Sequence, residues 1–305
     1  MKKLGIYGML FIMIASMAIS CEGKKQEVAP ELPGLTLVWS DEFKYTGLPD
    51  PTKWEYEEGY YRRPQELQYY TVNRLENARV DGEHLIIEVR KETPESFYPT
   101  SINDEWHRYT SANVNTRNTA AWQYGRFEIR AKLPKGPGMW PALWFLSPLR
   151  SPTLAGPHKP KNDDGTPFVY PNSNVDGGPP SQGEIDLMEA WGTRANVTYT
   201  YVHGITQRPN PSPRARTEHK RDIYNEFHLY AMEWFPDRID FFRDEEKTLT
   251  VWKKDYDRWP FDKPFYLLMN IAVGGADEPA PPDENLPQQM VIDYVRVYQW
   301  NEFLK

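Results

Sequence analysis

One cysteine, Cys21, stands in the 305 residues, so the chain cannot close a disulfide on itself. A net positive charge is also missing. Lys and Arg number 36 against 43 Asp and Glu, a formal charge of -7, which argues against a nucleic-acid partner because such a partner needs a basic footprint. Past the first twenty residues no apolar run approaches the roughly 20 residues that a membrane helix needs. Long stripes with a period near 3.6 are absent as well, which excludes a helical bundle. What the chain has in quantity is aromatic side chains: 11 Trp, 19 Tyr and 13 Phe. Most must fill a core, but indole faces also stack on sugar rings, and an exported Trp-rich chain points toward carbohydrate. With 39% hydrophobic and 26% charged residues the body reads as globular.

The first residues read as a targeting signal. Met1-Lys2-Lys3 is basic, residues 4–19 are apolar or small, and Cys21 follows. Residues 1–20 are therefore assigned as a signal peptide. Cys21 sits where bacterial lipoproteins carry their acylated cysteine, and by that resemblance it is the lipidated first residue of the mature chain. Residues 21–34 are polar and Pro-containing, as a tether would be. The expected location is outside the cytoplasm, on a membrane through this anchor, at the outer membrane or cell surface.

From Leu35 the pattern is strand after strand. Residues 84–90, 123–133, 226–234, 238–243 and 290–298 are short runs, most alternating apolar and polar, bounded by Gly, Pro, Asn and Asp. Phe127, Ile129 and Ala131 share one side of their run. Many strands without helices imply an all-β sandwich or barrel, and one domain over residues 35–300 is the simplest division, with a monomer expected. Residues 148–182 break the rhythm with eight prolines. A loop that long in a compact domain is functional or disordered, and this one leads directly into an acidic stretch, so it is read as a wall of the active cleft. Arg208, Arg214, Arg216, Lys220 and Arg221 form a local basic stretch, read as a solvated loop or a patch for an acidic substrate.

The acidic stretch is Gly183-Glu184-Ile185-Asp186-Leu187-Met188-Glu189. Cleaving a glycosidic bond requires a proton donor at the leaving oxygen and a second carboxylate near the anomeric carbon. In a strand Glu184 and Asp186 share a face, because side chains alternate. Glu189, five residues from Glu184, would point the other way unless one extra residue bulges between them. Ile185, Leu187 and Met188 mark the opposite face as buried. Three carboxylates on one face repel, so at least one is expected to hold a proton near neutrality, which separates acid from nucleophile.

At this point the sequence resembles glycoside hydrolase family 16, and within it the bacterial laminarinases, over about residues 37–299. The likeness is carried by Trp39-Ser40-Asp41-Glu42-Phe43, Glu66-Leu67-Gln68-Tyr69-Tyr70, Tyr124-Gly125-Arg126-Phe127-Glu128, Met139-Trp140-Pro141-Ala142-Leu143-Trp144, the acidic stretch, His228-Leu229-Tyr230, Asn270-Ile271-Ala272-Val273-Gly274-Gly275 and Val291-Ile292-Asp293-Tyr294. The resemblance implies a β-jelly-roll sandwich of two antiparallel sheets with a concave substrate cleft. It implies hydrolysis with retention, with Glu184 as nucleophile, Glu189 as acid/base and Asp186 between them, and no cofactor for catalysis. Trp140, Trp144, Trp191, His203 and Glu66 fall at sugar-contact positions. Many relatives carry a structural calcium ion, for which Glu42, the carbonyl of Gly82 and Asp293 are the matching positions.

The chain departs from the family pattern at Arg63-Pro64-Gln65, at Ala276-Asp277-Glu278-Pro279 and in the length of residues 148–182. All three lie where sugar subsites are expected. The first expectation is thus an endo-β-1,3-glucanase acting on laminarin-type glucan, with mixed-linkage glucan as a further substrate. The second keeps the mechanism on a β-linked galactan, sulfated or not, such as agar, porphyran or carrageenan; a sulfated chain would suit the basic stretch. A third, a surface glycan-binding lipoprotein without turnover, would be marked by a lost carboxylate, and none is lost.

Overall fold

The computed structural model describes residues 29–60, 66–97, 108–147, 183–204, 213–275 and 278–304. The signal peptide, Cys21, the long Pro-rich segment, Arg208 and Arg63-Pro64-Gln65 lie outside the described residues. The chain divides into two units, Met1–Pro30 and Glu31–Lys305. The second unit holds every strand found among the described residues.

The alternating runs form strands at Leu85–Lys91, Gly125–Lys132, His228–Trp234, Arg238–Arg243 and Gln288–Trp300. They belong to one twelve-stranded sheet. A second sheet has seven strands, in the order Arg214–Glu218, Val197–His203, Glu184–Glu189, Met139–Leu146, Tyr266–Val273, Asn113–Asn115 and Glu55–Glu57. Helical turns among the described residues are three short 3-10 segments. The fold is the expected all-β sandwich of two antiparallel sheets. One pairing departs from it: Gln68–Tyr70 runs parallel to Tyr109–Ser111.

Phe127, Ile129 and Ala131 face the core, as do Ile87, Val89, Met232, Trp234, Ile239, Phe241, Val295 and Val297. The seven-stranded sheet contributes Leu143, Phe145, Ile185, Leu187, Met188, Met269 and Ile271 to the same core. The first half of the polar side of strand Gly125–Lys132 is buried, whereas Arg130 and Lys132 are partly exposed. Arg126 and Glu128 are 6% and 4% exposed. They can be buried because they pair: Arg126 Nε donates to Glu128 at 2.7 Å, and its other nitrogens reach Glu233 at 3.1 Å and Glu245 at 2.7 Å.

Candidate active site

Register across the seven-stranded sheet decides which side chains meet. Residues opposite each other in an antiparallel ladder share a face. One row runs Arg216, Tyr199, Glu189, Ala142, Asn270, Asn113, Glu57. The next runs Arg214, Tyr201, Asp186, Trp144, Leu268, Asn115, Glu55. Glu184 stands opposite His203 and Leu146. The acidic strand, two tyrosines, a histidine and two arginines therefore occupy the face turned away from the core.

The predicted bulge is present. Leu143 pairs with Met188 and Trp144 with Asp186, so Leu187 is the extra residue on that edge. On the other edge Asp186 pairs with Tyr201 and Glu189 with Tyr199, again three steps against two. The slip returns Glu189 to the face of Glu184 and Asp186 while Leu187 and Met188 remain fully buried.

Glu184 and Asp186 are themselves buried, at 7% and 3% exposure, and Glu189 is half-buried. His203 Nε2 lies 3.1 Å from Asp186 Oδ2. One ligating atom from each of Glu184, Asp186 and His203 lies within 4.8 Å of the others. Burial by itself would lower the affinity of His203 for a proton. The hydrogen bond to Asp186 and the charges of Asp186, Glu184 and Glu189 overcome that and push its pKa up to about 9. The imidazolium thus offsets part of the carboxylate charge near neutrality.

Trp140 Nε1 donates to Glu189 Oε1 at 2.8 Å. Its ring is wedged against Gly275, where an added Cβ would come within 2.9 Å of the indole, so the tight approach requires glycine. Trp191, expected as a sugar contact, is 6% exposed and stacks on Trp140 with centroids 6.0 Å apart, while Tyr199 meets its edge at 4.6 Å. It packs against Trp140 and exposes little of its own face. The turn after it is equally tight: a Cβ on Gly192 would fall 1.7 Å from the carbonyl oxygen of Gly136. Glu278 ties the two segments together, accepting from Gly138 N at 2.7 Å and Thr193 N at 3.0 Å.

Trp144 Nε1 donates to Asn270 Oδ1 at 2.8 Å, and Asn270 donates to Tyr70 Oη at 2.8 Å. Glu66 bridges to Gly274, and its carboxylate accepts from Gln68 at 2.8 Å. Trp140, Trp144, His203 and Glu66 therefore fall on or beside the acidic face. Sequence reading missed Tyr199, Tyr201 and Asn270 as site residues. Burial, then the charge of Glu189, raises the pKa of the Tyr201 phenol, with Arg214 opposing. Their signal was positional, since each sits at a step of two along a strand whose partner was unknown.

Two of the three positions matched to calcium are held by arginines. Both oxygens of Glu42 accept from Arg296, at 2.9 and 2.8 Å. Asp293 pairs with Arg130. A cation there would meet two guanidinium groups, whereas a calcium site gathers oxygen ligands around positive charge.

Comparison with known proteins places this strand in a known family. Residues 158–296 match the model of glycosyl hydrolases family 16. A beta-glucanase of Rhodothermus marinus is 42% identical over 308 residues, covering 95% of this chain and 94% of that protein. The chain belongs to glycosyl hydrolase family 16. Within the family, the structure of the Rhodothermus marinus laminarinase superposes with a TM-score of 0.71 at 40% identity, covering 88% of this chain and 99% of that one. A keratan-sulfate endo-1,4-beta-galactosidase of Sphingobacterium multivorum is 30% identical over 268 residues, 86% of this chain and 55% of that protein. This family 16 member is a glycoside hydrolase, and the family requires no cofactor for catalysis.

Proposed function

We propose that this hydrolase cuts β-1,3-linked glucan of the laminarin type, and mixed-linkage glucan as a second polymer, by double displacement with retention. Glu184 attacks the anomeric carbon while Glu189 gives its proton to the leaving oxygen. Glu189 then takes a proton from water as that water displaces Glu184. Asp186, held by His203, lies between them and stabilises the proton arrangement of the pair. Trp140 and Trp144 offer ring faces to the sugar, and Glu66 a hydrogen-bond acceptor. The observation that carries the reading is the bulge at Leu187, which brings Glu184 and Glu189 to one face. The relatives named a beta-glucanase and a laminarinase support glucan as the polymer.

A second reading changes the polymer and keeps the chemistry. Arg214 and Arg216 stand in the same rows as Asp186 and Glu189, two strands away on the sheet edge, and Arg194 lies 4.8 Å over the Trp191 ring. A sulfated galactan would find cations along that edge, although Arg216 is paired with Glu218. Reducing-sugar release on laminarin, agar and carrageenan separates the two. Activity confined to a galactan would overturn the first reading. The anomer released, followed by proton NMR on a short oligosaccharide, tests retention.

The reading extends to location. The basic start, apolar stretch and Cys21 support export and a lipid anchor, with residues 21–34 as tether. Loss of membrane association in a Cys21→Ser variant would support it, and unchanged association would refute it.

A further inference from the structure

Strand Arg238–Arg243 sends Ile239 and Phe241 into the core, and the next position on that side is Arg243. A guanidinium there is costly. Arg243 is 4% exposed, and burial alone depresses its pKa to about 10 despite the nearby charges of Tyr230 and Asp244. No carboxylate pairs with it among the described residues. Its donors go instead to neutral oxygens. Nη1 donates to the carbonyl of Phe242 at 2.8 Å, Nη2 to Thr200 Oγ1 at 2.8 Å, and Nε to Thr198 Oγ1 at 3.4 Å. The plane of Tyr230 lies beneath it, 4.8 Å from ring to guanidinium carbon.

The remaining bond is the informative one. Nη2 also donates to the carbonyl of Leu187, the extra residue of the bulge. Thr200 Oγ1 donates to the same carbonyl at 3.2 Å. A bulge removes a residue from the ladder, so its backbone groups need partners elsewhere. Here that partner comes from the opposite sheet, through the core, and it is charged. Thr198 and Thr200, on the buried side of the strand beside the acids, complete the socket, both 1% exposed or less.

We propose that Arg243 is a positioning residue for catalysis: by holding the Leu187 carbonyl from the core side it fixes the bulge, and with it the placement of Glu189 relative to Glu184. The inference rests on the reading of Glu184 and Glu189 as the catalytic pair. Arg243 touches no substrate. An apolar side chain would fill the position at less desolvation, which is why a role tied to the bulge accounts for it better than packing does. Catalytic groups a fraction of an ångström out of place lose rate without losing affinity, so the signature is a fall in kcat with KM preserved.

The test is Arg243→Met beside Arg243→Lys, assayed below the melting temperature of each on whichever polymer the parent enzyme hydrolyses. Arg243→Met keeps the stem and removes the donors, and its kcat should fall tenfold to a hundredfold with KM within about twofold. Arg243→Lys can still donate to Leu187 and should recover part of that loss. The optimum of the pH–rate profile should also move in Arg243→Met, because the two carboxylates no longer hold their relation. A lowered melting temperature with kcat, KM and pH profile as in the parent would overturn the proposal and leave Arg243 a structural residue. If Arg243→Met fails to fold, Arg243→Lys decides: a several-fold fall in kcat at constant KM supports the role, and parental kinetics refute it. Should Glu184→Gln and Glu189→Gln remain active, the assignment of the pair has failed rather than the role of Arg243 alone.

Discussion

Two carboxylate-rich surfaces lie on the two sheets, and they are built on opposite principles. On the twelve-stranded sheet three buried acids meet guanidinium groups: Glu128 with Arg126 at 2.7 Å, Glu88 with Arg79 at 2.7 Å, Asp240 with Arg238 at 3.1 Å. Removing one partner of such a pair leaves the other charge buried and uncompensated. On the acidic strand three carboxylates share an imidazole, which can release its proton, and an indole N–H, which carries no charge. Acids are spread among cations on the larger sheet and gathered on one short strand of the smaller.

The contrast can be broken from either side. The largest effect is expected for Glu184→Gln, which should reduce reducing-sugar release by about 10⁴-fold or more with little change in melting temperature. Retained turnover would remove Glu184 from the mechanism. Glu189→Gln should lose about 10² to 10⁴-fold, least on substrates whose leaving group needs no proton. On the matched surface Arg126→Met should do the reverse. Buried Glu128 and two acids nearer the rim, Glu233 and Glu245, lose their cation, so stability should fall by about 3 kcal/mol in denaturant melts while kcat per folded molecule holds. A kinetic defect there would mean that the two surfaces are coupled. Trp140→Phe keeps the ring and deletes the N–H that Glu189 accepts, and about a tenfold fall in kcat is expected. An unchanged kcat would limit Trp140 to sugar stacking.

The smallest effect concerns pH. The pKa of His203 is raised in the folded state, so its contribution to stability is complete below the ordinary imidazole value of about 6.5 and is lost as pH rises through about 9. Melting temperature should therefore decline between these limits in the parent and decline less in His203→Gln. Parallel curves would show that His203 does not carry the imidazolium described above.

Much of the site was legible in sequence because it is a matter of counting. A period of two places Glu184 with Asp186, and five residues to Glu189 demand one bulge. The blocks around Trp140 and Gly274 then lie close to it, as expected. What could not be read is anything that depends on the choice of partner strand. Tyr199 and Tyr201 join the acids only because Val197–His203 pairs with the acidic strand in one register. The place of Trp191 after the motif held no sign that it packs against Trp140. Arg126 and Glu128 read as solvent-facing by alternation and are buried by mutual pairing. Glu42 and Asp293 carry the right oxygens for calcium, but arginines from other strands reach them first. The parallel run of Gln68–Tyr70 with Tyr109–Ser111 had no signature in either segment.

Strand Gln288–Trp300 pairs along one edge with Gly125–Lys132 and along the other with Leu85–Lys91 in its first half and Leu35–Asp41 in its second. The keystone of the larger sheet is thus drawn from the late end of the sequence. Leu35–Asp41 and Leu85–Lys91 both wait for a partner far along the chain, and closing such distant contacts is slow. The assembly should behave as a single all-or-none event with a long-lived open precursor, and loss of the final fifteen residues should abolish folding rather than trim an edge.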